Sequence, residues 1–150
     1  MQTRDFDGDG RPDIAVISAS SQGLRIYSRL DFVTSSVTVT TVAGGTLAAT
    51  SMARPQDVNG DGNLDLVVGH AGGVAVFLAN GDATFRAGGS AGSTSPTQAA
   101  AVGHLNGDSM PDVVSVESAA GRLMIGFGRG DTTGPIWRRG HCGAHESATT

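Results

Sequence analysis

One acidic loop occurs three times in this chain, and it limits the possible folds more than any other feature. It reads Asp5-Phe6-Asp7-Gly8-Asp9-Gly10-Arg11-Pro12-Asp13, then Asp57-Val58-Asn59-Gly60-Asp61-Gly62-Asn63-Leu64-Asp65, then His104-Leu105-Asn106-Gly107-Asp108-Ser109-Met110-Pro111-Asp112. The loops start 52 and 47 residues apart. Nine of the twelve Asp lie in them, and the other three keep step. Asp31, Asp82 and Asp131 follow the closing Asp of each loop by 18, 17 and 19 residues. The chain is therefore an array of units of about fifty residues.

Each loop is followed by the same succession. A β-branched apolar run comes first: Ile14-Ala15-Val16-Ile17, Leu66-Val67-Val68 and Val113-Val114-Ser115-Val116. A turn and a second run follow: Leu24-Arg25-Ile26-Tyr27, Val74-Ala75-Val76-Phe77-Leu78 and Leu123-Met124-Ile125-Gly126-Phe127. These read as hairpins of buried strands. A third strand is clearest at Val37–Val42, and a fourth leads into the next loop, as Gln98–Val102 does. Four short strands per fifty residues is the arithmetic of a β-propeller blade. Composition agrees: 23 Gly in 150 residues, no Lys and only two Glu leave few helix-favouring faces. Phe77 and Phe127 are expected in register on inner strands, in the core.

Oxygen-bearing side chains at loop positions 1, 3, 5 and 9 describe a site for a hard cation. Gly at positions 4 and 6 lets the chain curl around the ion, because it reaches positive φ without a Cβ clash. The position-7 carbonyls of Arg11, Asn63 and Met110 are natural backbone ligands. Calcium takes six to eight oxygens, whereas magnesium wants a tighter octahedron and keeps its waters. An EF-hand is excluded. It needs a bidentate Glu at position 12 and flanking helices, and here position 12 is Val16, Val68 and Ser115, inside strands.

The motif Asp-x-Asp/Asn-Gly-Asp-Gly-x-x-Asp, with its following strands and Gly-Asp turn, resembles the FG-GAP/VCBS repeat of integrin-α-like β-propellers. The resemblance covers about residues 1–134. It implies an all-β chain forming a partial propeller of about three four-stranded blades, near 1–50, 51–96 and 97–134, each loop joining two strands and holding Ca²⁺. Residues 135–150 are expected to be a disordered tail outside the repeat. The ligands carried across are Asp5, Asp7, Asp9, Asp13 and the Arg11 carbonyl in loop one. Loop two supplies Asp57, Asn59, Asp61, Asp65 and the Asn63 carbonyl. Loop three keeps Asn106, Asp108, Asp112 and the Met110 carbonyl, but it departs from the pattern. His104 replaces the first Asp, and Ser109 stands where Gly would reach positive φ, so it is expected to be the poorest site. Loop two is expected to be the best ordered, since only four residues precede loop one.

Other motifs read as ordinary structure. Arg129-Gly130-Asp131 spells an integrin-binding tripeptide, but Asn80-Gly81-Asp82 fills the same place one repeat earlier, so it reads as a turn. His141-Cys142-Gly143-Ala144-His145-Glu146 lacks a second cluster to complete a zinc tetrahedron. No apolar stretch reaches 18 residues, so membrane insertion is not expected, and no signal peptide opens this segment. A net charge of −4 without a basic run argues against nucleic acid. No catalytic motif is visible, so the chain is not expected to be an enzyme. The resemblance points to an extracellular or cell-surface scaffold for binding or adhesion, its ligand a protein or a glycan in lectin-like fashion. The alternative is a non-catalytic appendage of a larger secreted enzyme such as a hydrolase. Three blades do not close a ring, so either the remaining blades of a longer chain or self-association is expected to cover the open faces.

Overall fold

The apolar run behind each acidic loop forms the second strand of a four-stranded antiparallel sheet. The structure, a computed structural model, describes residues 1–17, 23–31, 36–43, 48–92, 95–117, 119, 121–129 and 136–141. The first sheet is β1 (Gln2–Arg4), β2 (Asp13–Ile17), β3 (Leu24–Asp31) and β4 (Ser36–Ala43). The second is β5 (Ala49–Met52), β6 (Leu66–His70), β7 (Gly73–Ala79) and β8 (Phe85–Gly92). The third is β9 (Ala99–Gly103), β10 (Asp112–Glu117), β11 (Arg122–Phe127) and β12 (Ile136–His141). Sequence neighbours pair throughout, so each sheet is a simple meander. Three successive meanders of this kind are the layout of propeller blades. Each acidic loop joins the first and second strands of its blade. Among the described residues no strand closes a ring.

Strand alternation decides what lies between the blades. On β6, Leu66 and Val68 turn toward the first blade and bury with Ala15, Leu24 and Ile26. Val67 turns the other way and buries with Val74, Val76, Leu78, Val113 and Met124, shared with the third blade. The middle blade is thus apolar on both faces, and its β6 reads as an unbroken apolar run. Each fully buried Leu, Ile or Val here contributes on the order of 2 kcal/mol. The second residue of each loop joins in. Phe6 packs edge-on against Phe85, and its carbonyl accepts the Ala83 N–H at 3.0 Å. Val58 sits in the cluster between blades two and three.

Two expectations change. The third blade extends to His141, because β12 pairs with β11 from Arg122↔His141 to Phe127↔Ile136. Residues 136–141 are therefore an outer strand and not part of a disordered tail beginning at 135. Outer strands need only backbone pairing, so Arg138-Arg139 hid this one from a search for apolar alternation. The first blade's leading strand is short, three residues paired Gln2↔Ala15 to Arg4↔Asp13, as the four residues before loop one allow. Finally, Phe77 pairs with Leu66, whereas the residue facing the equivalent Val113 is Gly126. Phe127 lies one place further on, so the two aromatics are out of register and turn to opposite faces. Both are half-buried. The Gly130-Asp131 turn and residues 142–150 lie outside the described residues.

Candidate metal centre

Loop two shows in full a hydrogen-bond plan that loops one and three share in part, in which short acidic side chains accept nearby backbone amides. At position 1, Asp5 accepts the N–H of Gly8 at 2.7 Å and of Gly10 at 2.9 Å, one on each oxygen. Asp57 does the same with Gly60 at 2.7 Å and Gly62 at 2.8 Å. These bonds need the glycines at positive φ, with Gly10 at 80° and Gly62 at 88°. At position 5, Asp9, Asp61 and Asp108 each accept the N–H of the residue two on, Arg11, Asn63 and Met110, all at 2.8 Å. Among the described residues, Ser109 is not at positive φ, so loop three takes a different path at the place where its neighbours have Gly10 and Gly62. His104 and Asn106 are exposed there.

Position 9 anchors the loop to its blade. Asp65, 1% exposed, accepts the Val58 N–H at 2.9 Å on one oxygen and the Ala79 N–H at 2.8 Å on the other. Asp112 accepts Leu105 N–H at 2.6 Å and Gly128 N–H at 3.0 Å in the same way. Loop one breaks this symmetry. Asp13 accepts the Phe6 N–H at 2.7 Å, but its Oδ1 is buried without a hydrogen-bond partner. Strand register shows why. Arg29 holds the place of Ala79 and Gly128, but it adopts a φ of 52° at a register shift between Ser28 and Asp31. Its side chain instead brings Nε to 3.7 Å from Asp7.

Position 3 separates the loops further. Asn59 donates its side-chain amide to Asp61 at 2.9 Å, and Asn106 donates to Asp108 at 2.6 Å. Asp7 has no proton to donate. One carboxylate oxygen from each of Asp5, Asp7 and Asp13 lies within 4.8 Å of the others. Asp9 is exposed and stands outside that group, and Arg11 is exposed as well. Asn63 and Met110 are half-buried, with their backbone N–H groups directed to Asp61 and Asp108.

The electrostatics follow the geometry. Burial pushes the Asp13 carboxyl above its ordinary range, and the charges of Asp7, Asp5 and Asp9 push it further, against the Phe6 N–H. Burial raises Asp65 to about 6 despite its two amide bonds. Asp61 moves the other way: the hydrogen bonds from Asn59 and Asn63 outweigh a burial effect that would raise it. A cavity of about 240 Å³ lies between loops one and two, bordered by Asp5 and Asn63 and floored by Phe6 and Leu64. Sequence reading missed Arg29. Its available signal was an arginine at the place where the other repeats carry Ala79 and Gly128.

Residues 57–115, from the second loop through the third and along β10, match the family model of the FG-GAP-like repeat. No curated protein and no solved structure matches the chain. By its motif, its strand order and its loop geometry, the segment 57–115 is an FG-GAP-like repeat.

Proposed function

We propose that this β-propeller-type segment is stabilised by calcium and serves as a non-catalytic, extracellular or cell-surface scaffold whose open loops and faces bind a protein or glycan. One observation carries the calcium reading: the buried Asp13 Oδ1 has no partner, beside two further carboxylates from Asp5 and Asp7. A buried, unsatisfied charged oxygen costs several kcal/mol unless something compensates it. Among the described residues the Arg29 guanidinium makes an ion pair with Asp7 alone, at 3.7 Å. The converging carboxylates of Asp5, Asp7 and Asp13, which Asp9 and the Arg11 carbonyl would join from the same loop on binding, form an all-oxygen set that suits a hard cation of calcium's size. Bound there, the ion would neutralise the converging charges and tie loop one to β2.

Loop one is thereby the strongest candidate, ahead of loop two, where Asn59 already satisfies Asp61 internally. Loop three has only Asp108 and Asp112 as acids and ranks last. Repeats of this family are common in extracellular proteins, where free calcium is high enough for modules with dissociation constants on the order of 10⁻⁴–10⁻³ M. Thermal melts in calcium, in magnesium and in chelator test the reading. Calcium alone is expected to raise the midpoint. Identical melts in all three would contradict it. A glycan array probed with the calcium-loaded chain tests the carbohydrate version of the ligand.

A further inference from the structure

Three Asn-Gly pairs occur in the chain, at Asn59-Gly60, Asn80-Gly81 and Asn106-Gly107. Asn is a thermolabile residue, and most so before Gly, whose missing Cβ leaves its amide nitrogen unshielded. Two of the pairs hold positions 3 and 4 of loops two and three, and their side chains are bound alike. Asn59 donates to Asp61 at 2.9 Å and accepts the Asp61 N–H at 3.0 Å. Asn106 donates to Asp108 at 2.6 Å and accepts the Asp108 N–H at 3.1 Å. The glycines match as well, at φ of 81° and 80°. Position 1 separates the two loops. Asp57 accepts the Gly60 N–H at 2.7 Å, as Asp5 accepts that of Gly8. His104 stands there in loop three, and among the described residues the Gly107 N–H has no hydrogen-bond partner. The backbone of the Asn differs too. The Asn59 N–H is bonded to Asp57 at 3.2 Å and the Asn80 N–H to the Thr84 carbonyl at 3.0 Å, whereas that of Asn106 has no partner among the described residues. Asn106 and Gly107 are both exposed, while Asn59 is 6% exposed and Gly81 is half-buried.

We propose that Asn106 is a site of spontaneous deamidation, which exchanges the amide at position 3 of loop three for a carboxylate. The Gly107 nitrogen loses its proton and bonds to Asn106 Cγ, and the side-chain nitrogen leaves as ammonia. Water then opens the succinimide ring at either carbonyl, so one water is consumed and one ammonia released. The Asp108 N–H already meets Asn106 Oδ1, the oxygen on which negative charge develops during the attack. In loop two the same attack is opposed. The Asp57 carboxylate holds the Gly60 proton, and a negative charge beside that nitrogen disfavours its ionisation. Loop three has no acid at that position. Ring opening at the side-chain carbonyl leaves an ordinary Asp, the residue that loop one carries as Asp7, beside Asp108 and without the amide that Asn106 donates to it. Opening at the backbone carbonyl leaves an isoaspartyl link and lengthens the loop backbone by one carbon. The modification rests on the hydrogen bonds of loop three and not on the calcium reading, so the two fail separately.

The test is incubation of the purified chain in calcium-free, mildly alkaline buffer, followed by peptide mapping with mass spectrometry. Asn106 is expected to gain the mass of an NH₂-to-OH exchange first, as a mixture of ordinary and isoaspartyl forms, and Asn59 last. In denaturant, where the loop contacts are gone, the three pairs are expected to react at similar rates. His104→Asp returns an acceptor to the Gly107 N–H and is expected to slow Asn106 about fivefold, the rate equivalent of one net hydrogen bond. Far-UV circular dichroism checks that this variant keeps its sheets, and should it not, the folded parent against the denatured parent decides alone. A folded chain in which Asn59 or Asn80 reacts before Asn106, the same ranking and spread in denaturant, or a folded His104→Asp chain that reacts as fast as the parent would each overturn the assignment.

Discussion

Asp7 and Asn59 stand at the same place in consecutive loops, and a single proton-bearing amide separates their behaviour. Asn59 donates to Asp61 at 2.9 Å, whereas Asp7 has Arg29 Nε at 3.7 Å and two carboxylates close by. Asp7→Asn preserves the shape and gives loop one the internal bond that loop two already has. In chelator it is expected to stabilise the chain by about 0.5–1.5 kcal/mol, the net worth of one hydrogen bond. Urea denaturation of the two proteins in chelator measures this. A variant less stable than the parent would mean that Asp7 is already fully compensated.

Asp65 holds the backbone on both sides of loop two through Val58 and Ala79. Asp65→Ala leaves two buried N–H groups unpaired and is expected to cost about 2–5 kcal/mol. Asp65→Asn keeps one acceptor and should cost less. The order of the two denaturation midpoints is the readout, and equal midpoints would show that the amide bonds carry little.

Stability should also depend on pH in a particular direction. Folding raises the Asp65 carboxyl from 3.8 to about 6, so between those values the folded chain holds a proton that the unfolded chain has lost. The stability of the calcium-free protein therefore falls as pH rises from about 4 to about 6, by up to about 3 kcal/mol for this group. Asp13, also raised, adds to the same slope. Calcium favours the ionised carboxylates, so in excess calcium the slope is expected to flatten or reverse. Melts across that window, with and without calcium, check both statements.

Gly128 packs where no side chain fits. A Cβ there would stand 2.4 Å from the Pro111 carbonyl oxygen, which is backbone and cannot rotate away. Gly128→Ala is expected to cost about 1–3 kcal/mol and to weaken the Gly128–Asp112 bond that closes loop three. A denaturation midpoint unchanged from the parent would show that blade three adjusts freely.

The blades were legible in the sequence because the loops mark their period and the apolar runs behind them are β-branched. Ile14–Ile17 and Leu66–Val68 needed no partner to be recognised as strands. β12 was not legible: its only requirement is pairing with β11, and Trp137-Arg138-Arg139 carries no two-residue alternation. The candidate ligands were legible as types, but their convergence was not. Loop one has a third carboxylate because position 3 is Asp7 and not Asn, and its Asp13 Oδ1 lacks an amide partner where the backbone turns at Arg29. That turn is a property of strand register, and no local motif announces it.

The most direct measurement is calorimetric titration of calcium into the parent chain and into Asp7→Asn. The parent is expected to show a tightest site that the substitution weakens at least tenfold, or about 1.4 kcal/mol, because loop one loses one of its three converging carboxylates. No heat from the parent, or a tightest site indifferent to Asp7→Asn, would contradict calcium binding in loop one.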